Sequence, residues 1–319
     1  MDVNQNYIVE VSPHIRSKET IPRIMLDVLI ALIPALVVSI IIFGLRSLFI
    51  ILISVFTCIL SEHLFCRLTK RQCTVSNLSI VVTGILFAFV LPPGIPYYMV
   101  VVGAVFAVII GKCVFGGLGH NPFNPALAGR AFLLASWPVA MTTWWKPFWF
   151  KQAVDTITTA SPLGIVKMNL KMDIPHYWDL FIGVRAGCIG EVSVAALLAG
   201  VLYLLMRNVI KWYIPLSYIL TVAVFSFVAG RDPVFNVMSG GLILGACFMA
   251  TDYTTSPLLK ISQIIFGIGC GLLTCFIRFW GGFPEGVCYS ILIMNCATPI
   301  LDQYIKPKRY GIKTSVRVE

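Results

Sequence analysis

Ten apolar stretches follow one another through the chain, at about 24–43, 48–66, 76–91, 97–115, 124–138, 187–206, 212–229, 237–252, 261–279 and 285–304. A run of roughly 17–25 apolar residues crosses a bilayer as one helix. Lipid offers no water to backbone N–H and C=O groups, so a spanning segment must satisfy them internally. The chain therefore reads as an all-α integral membrane protein with ten transmembrane helices. Composition agrees, with 58% hydrophobic residues, 12% charged residues and a mean hydropathy of +0.88. A soluble domain is typically about 45–50% apolar and about 25% charged. The third, fifth and eighth stretches are short and are broken by glycine, proline or polar residues.

The net charge of +10 reflects membrane topology and implies no nucleic-acid partner, because short cytoplasmic loops collect Lys and Arg. With both termini in the cytoplasm, 15 basic residues, Lys112 among them, fall inside and 8 outside, leaving Arg130 within the fifth span. The protein is expected in the plasma membrane, multi-pass, with loop 139–186 outside. Trp144, Trp145 and Trp149 open that loop, where an interfacial aromatic belt belongs. Residues 1–23 are polar and do not read as a signal peptide.

The halves resemble each other. Arg46 and Arg207 each follow the first span of their half, 161 residues apart, and Gly84 and Gly245 share the same spacing. Gly116–Gly117 recurs as Gly281–Gly282 at a shift of 165. Five spans is an odd number, so the copies must cross in opposite directions, as in many transporters. The expected organisation is a cytoplasmic segment 1–23, a five-helix repeat 24–138, an outer loop 139–186, a second five-helix repeat 187–305 and a basic cytoplasmic tail 306–319. Short interrupted spans at matching places mark a midplane site. Spans 76–91 and 237–252 are thus expected to meet at the pseudo-twofold axis, with Gly84, Gly240, Gly241 and Gly245 allowing close approach.

The ten cysteines form no CxxC pair and share no metal-ligand spacing with His14, His63, His120 or His176. Most lie in apolar runs, where cysteine packs as a small hydrophobe, so no metal is expected. Three stretches are polar enough to carry chemistry: GGLGHNPFNPALAGRAF (116–132), DTITTAS (155–161) and ATDYTTSP (250–257). Asn121 and Asn124 could hold the edge of a heterocycle, and Arg130 lies in the adjoining span. Thr251 and Asp252 end a broken span, and a charge there is a functional candidate by default. The plainer reading has the asparagines capping a helix, Arg130 snorkelling and Asp252 capping or ion-paired. By itself DTITTAS reads as an exposed turn.

Taken together, SPHIRS, the NPFNPALAGRAFL block, the loop motif followed by PLG, ATDYTTSP and the basic tail resemble the RnfD/NqrB family in order and nearly end to end. These are flavoprotein subunits of the Rnf and sodium-pumping NADH:quinone oxidoreductase complexes. The resemblance implies that a flavin transferase joins the phosphate of FMN to the last hydroxyl of a D-x-x-(S/T)-G-A-T motif, through a phosphoester. Here the motif runs Asp155, Thr156, Ile157, Thr158, Thr159, Ala160 and Ser161. Thr159 replaces the usual glycine. Ser161 replaces the usual threonine and keeps the hydroxyl. Lys146 and Lys151 are candidates to neutralise the phosphate. The resemblance further implies a second, non-covalent flavin (riboflavin or FMN), expected near Asn121, Asn124 and Arg130. It implies partner subunits bearing flavin and iron–sulfur clusters, electron relay between ferredoxin and NAD, and coupling to Na⁺ or H⁺ movement. No complete catalytic site is expected in this chain alone. An NqrB-like quinone reductase subunit and a urea-channel-like transporter are the alternatives.

Overall fold

A computed structural model describes residues 20–71, 75–151, 158–168, 170 and 174–305. Segments 1–19 and 306–319 and residue Asp155 lie outside the described residues. Each of the ten apolar stretches contains helix. In the first half, α1 (Ile21–Phe43) turns at Gly44 into α2 (Leu45–Thr69). The Gly44 φ of 77° lies in the left-handed region that favours glycine. Next come α3 (Ser79–Phe89), α4 (Tyr97–Val108), which runs on into a π-helical turn at Ile109–Cys113, and α5 (Pro125–Ser136). The connecting region holds α6 (Pro138–Thr142), a two-stranded ladder of β1 (Trp144–Trp145) and β2 (Thr158–Thr159), α7 (Pro162–Lys167) and α8 (Tyr177–Ile182). The second half comprises α9 (Val194–Met206), α10 (Tyr213–Val228), α11 (Pro233–Met238), α12 (Leu242–Leu244) with a π-helical turn at Gly245–Met249, α13 (Lys260–Phe279) and α14 (Val287–Tyr304).

Among the described helices, α1, α2 and α13 are long and apolar enough to cross a membrane unaided. Along α2, Phe49, Leu52, Phe56, Leu60 and Leu64 are each more than half exposed. They recur every three or four residues and form one apolar face. A large exposed apolar patch of this kind marks a membrane or protein contact, and the overall apolarity of the chain selects lipid.

The two halves pack by the same scheme. In the first, α2 contacts α3 and α4, and α5 contacts α3 and α4. In the second, α10 contacts α12 with its π turn and α13, and α14 contacts the π turn and α13. The halves meet where α1 crosses α9 and α5 contacts α14. Tyr203 and Arg207, at the end of α9, bond Asp27 near the start of α1, so these helices run antiparallel. Their backbones almost touch: a Cβ on Gly200 would lie 2.1 Å from the Ala31 carbonyl oxygen.

Three expectations need correction. The sixth stretch is helical only from Val194; residues 187–193 are irregular and folded into the interior. Spans 76–91 and 237–252 do meet around one cavity, Val82 and Leu86 lining it with Cys247 and Phe248, but at their other ends, Phe89–Leu91 and Met238, the irregular segment lies between them. Its Ile189 and Gly190 N–H groups donate to Leu91 and Phe89 O at the end of α3. Arg185, just before it, donates to Met238 O at the end of α11. The backbone groups freed by the breaks thus find protein partners, as the absence of water requires. Gly84 and Gly245 serve packing within their own halves: an added Cβ would lie 2.8 Å from Val55 Cα of α2 and 2.2 Å from Val287 Cγ1 of α14, respectively.

Candidate functional site

The polar residues gather at opposite faces of the bundle. One face, termed inner from the expected topology, carries the start of α1 and the end of α14; the opposite face, termed outer, carries Gly44 and the connecting region.

At the inner face, a cavity of about 70 Å³ is lined by Ser79, Thr83, Lys112, Asn121, Asn124, Thr251, Asp252 and Thr254. The asparagine block reaches it because Pro125 starts α5 and Asn124 caps that helix. Asn124 Oδ1 accepts from Ala126 N (3.1 Å) and Leu127 N (3.4 Å), and its Nδ2 donates to Met249 O (3.2 Å). Asn121 Nδ2 donates to Phe123 O and Thr254 Oγ1, whereas its Oδ1 is buried with no hydrogen-bond partner. The Asp252 carboxylate accepts from Thr254 Oγ1 at 2.9 Å and Thr255 Oγ1 at 3.3 Å, and Thr251 Oγ1 donates to Cys247 O. Asn124 therefore caps α5, and Asp252 ties together the turn that follows the eighth span. The block and ATDYTTSP, far apart in sequence, form one pocket.

Sequence reasoning misses the pairing of Lys112 with Glu62. Lys112 counts as a cytoplasmic loop charge in the topology, yet it is 2% exposed and sits on the π turn. Its Nζ lies 3.3 Å from both Glu62 carboxylate oxygens and 3.0 Å from Ser79 Oγ. An acid inside the apolar run SVFTCILSEHLFC is the signal that could have found it.

This cavity of about 70 Å³ has room for a few waters, since one water needs about 10–15 Å³ of such space. A flavin ring system needs a pocket of several hundred Å³, on the order of ligand sites generally. Arg130, moreover, is elsewhere. It is 7% exposed, and its guanidinium donates to Val90 O (2.6 Å), Cys188 Sγ (3.1 Å) and the Glu285 carboxylate. Asn121 and Asn124 line the inner cavity, whereas Arg130 stands apart from it beside Glu285, so the three do not form one site. The atoms of Cys188, Glu191 and Glu285 lie within 4.8 Å of one another, but the Arg130 guanidinium already supplies the cation there.

At the outer face, the connecting region lies over Gly44 and the end of α13. Trp144 and Trp145 pair with Thr159 and Thr158, Trp149 Nε1 donates to Phe43 O, and Lys167 Nζ donates to Ile277, Gly281 and Phe283 carbonyls at 3.3, 2.5 and 2.6 Å. Burial, with Arg231 adding to it, lowers the Lys167 pKa. Ser161 follows the ladder and caps α7: its Oγ accepts from Gly164 N at 3.2 Å, and the residue is only 4% exposed. Thr159 and Ala160 are half-buried beside it. The Thr158 and Lys151 side chains lie outside the described residues, and Lys146 is exposed.

Two residues past Ser161, Leu163 lines a cavity of about 560 Å³. Val166, Phe235 and Phe279 give it apolar walls; Lys167, Arg231 and Arg278 are its cations. Arg278 is 3% exposed and bonds Asn236 O and Ser239 O, while its Nε has no partner. Asp232, at the rim, caps α11 and accepts from Tyr177 OH. Burial raises the Asp232 pKa, but the bonds from Tyr177 and the Phe235 and Val234 N–H groups outweigh it and hold the carboxyl below its ordinary value.

Residues 8–311 match the NQR2, RnfD, RnfE family. The chain is 49% identical over 317 residues to the D subunit of the Na⁺-translocating ferredoxin:NAD⁺ oxidoreductase complex of Acetobacterium woodii, covering 98% of each chain. It is 42% identical over 322 residues to the D subunit of the proton-translocating ferredoxin:NAD⁺ oxidoreductase complex of Clostridium ljungdahlii, covering 96% of this chain and 97% of that one. The D subunit of an ion-translocating oxidoreductase complex of Escherichia coli is 34% identical over 341 residues, covering 94% and 97%.

Proposed function

The chain belongs to the NQR2, RnfD, RnfE family, and from that premise we propose that it is the membrane flavoprotein of an Rnf-type ion-translocating oxidoreductase, the counterpart of the D subunits it matches. It relays electrons between ferredoxin and NAD through FMN carried on Ser161 as a phosphoester. The observation that supports this reading is that Ser161, at the acceptor position of the loop motif, stands two residues before Leu163, which lines the cavity of about 560 Å³, a volume that suits a cofactor ring system. When bound, FMN supplies the electron transfer; the protein supplies position and electrostatics.

This chain's residues divide that work. Ser161 provides the attachment oxygen at the turn into α7. Arg231 and Arg278 bring positive charge to the cavity, and Leu163, Phe235 and Phe279 give it apolar walls. Lys167 closes the α13 carbonyl end, fixing the loop to the bundle. Ser161 Oγ is buried, so the flavin transferase must act before the loop closes over it or with the loop opened. Partner subunits hold the iron–sulfur clusters and the nicotinamide site. The relatives' names differ in the ion, Na⁺ in one and the proton in the other, so the coupling ion of this chain is one of the two.

The reading includes ten spans in two inverted repeats, supported by the matched packing of the halves and the antiparallel α1–α9 crossing. It places the protein in the plasma membrane with cytoplasmic termini and Ser161 outside. The experiment is peptide mass analysis of the purified chain. The fragment holding Ser161 should carry FMN less one water, with the added mass on Ser161. An unmodified fragment from a complex that contains all its subunits contradicts the proposal.

A further inference from the structure

Beneath the outer cavity lies buried charge that flavin attachment leaves unused. Glu285, just before α14, is held by Arg130 of α5 through one carboxylate oxygen, Oε2. The other oxygen, Oε1, is buried with no hydrogen-bond partner. An ionised oxygen without donors in such a place is costly, and a proton relieves it. Arg278 of α13 faces the same spot. A Cβ on Gly240 would lie 2.8 Å from Leu163 Cδ1, 3.1 Å from Arg278 Nη2 and 3.8 Å from Glu285 Cγ. Arg278 and Pro284 also line the outer cavity. Segment 183–193 contributes Arg185, Glu191 and Cys188, and α14 contributes Cys288 and Tyr289. Three arginines thus face two carboxylates, and the arginines favour the ionised form of each acid. Negative charge arriving in the cavity opposes them and favours the protonated form.

We propose that Glu285 is the proton-exchanging group of this site. It takes up one proton from the aqueous face on Oε1 when electrons reach a flavin held in the outer cavity, and returns it when they leave. The electrons go to the flavin; the only bond made on the protein is O–H at Glu285. The proposal rests on the flavin reading of Ser161. The plainer alternative, a fixed ion pair that only neutralises Arg130, leaves Glu285 ionised in both redox states.

The test uses the complex with covalent flavin, reduced electrochemically in weakly buffered medium. Proton uptake per electron pair is measured, along with the redox-difference infrared spectrum in the carboxyl region. The wild type should show a protonated-carboxyl band on reduction. Glu285→Gln should lose that band and take up as much as one proton fewer, with covalent labelling unchanged. Glu285→Asp should restore uptake with a shifted band. Unchanged uptake and an unchanged band in a labelled Glu285→Gln protein overturn the proposal alone. If the Gln variant does not fold, Glu285→Asp decides: an unshifted band overturns it. A wild-type chain with no covalent flavin removes the Ser161 reading and this proposal together.

Discussion

Replacing Arg130 with methionine separates two accounts of that residue. Chain proximity groups Arg130 with a second flavin; the structure makes it the counter-ion of Glu285 and the donor to Val90 O and Cys188 Sγ. Both charged side chains are nearly out of water, at 8% and 13% exposure. Methionine fills much the same volume but leaves Glu285 without its donor and Val90 O without its bond. Breaking a buried pair from one side costs about 3–5 kcal/mol. At about 1.4 kcal/mol per factor of ten, the folded fraction ratio falls roughly a hundred- to a few-thousand-fold. For a chain of this size the melting midpoint should drop on the order of 10 °C. Adding Glu285→Gln removes the stranded charge, so the double variant should recover at least half of the loss. Melting in detergent, followed by tryptophan fluorescence, reads all three proteins. If Arg130→Met melts with the wild type, or the double variant melts no higher than the single, Arg130 is not the partner described here. Loss of non-covalent flavin at unchanged stability would restore the ligand reading.

Gly200→Ala should destabilise the crossing of α1 and α9. The new methyl would meet the Ala31 carbonyl oxygen at 2.1 Å, and overpacking of about 1–3 kcal/mol outweighs a helix-propensity gain of about 1 kcal/mol. Gly282→Ala, with no neighbour within 4 Å of its Cβ, should melt like the wild type; equal melting of the two variants refutes the crossing. A cysteine placed at Asn169 in a Cys296→Ser background should react with an impermeant thiol reagent on intact cells, and reaction only after lysis would reverse the proposed topology. Asp232 has a lowered carboxyl pKa, so its contribution is present above the ordinary carboxylate pKa of about 3.9 and is lost as pH falls through the lower folded value. Protease nicking near α8 should therefore rise only in strong acid, and rise there less in Asp232→Ala, which has no such contribution to lose.

How much of this is legible in the sequence follows from what each signal measures. Apolar run length depends on the segment itself, so all ten helical stretches can be read from it. It does not register local hydrogen bonding, and 187–193 therefore reads as helix although it is irregular. That segment is apolar enough for lipid, yet its Ile189 and Gly190 N–H groups are spent on the end of α3. Glycine spacing signals close approach without naming the neighbour: Gly84 and Gly245 pack within their halves, while Gly200 marks the crossing between them. The three polar stretches stand out from their apolar surroundings, and the asparagine block does meet ATDYTTSP. The grouping of Arg130 with Asn121 and Asn124 fails because it follows chain proximity. One and a half turns of α5 separate the cap from Arg130, which faces a different partner. Lys112 passes for a loop charge because charge tallies ignore pairing; its partner Glu62 is 50 positions away.

The most direct test of the central claim is in-gel fluorescence of the denatured chain under blue light. The wild type and Ser161→Thr should fluoresce, Thr159→Ala should fluoresce, and Ser161→Ala should be dark at equal protein loading. A bright Ser161→Ala band, or a dark wild-type band from cells that contain the flavin transferase, would contradict the assignment of Ser161 as the FMN-bearing residue.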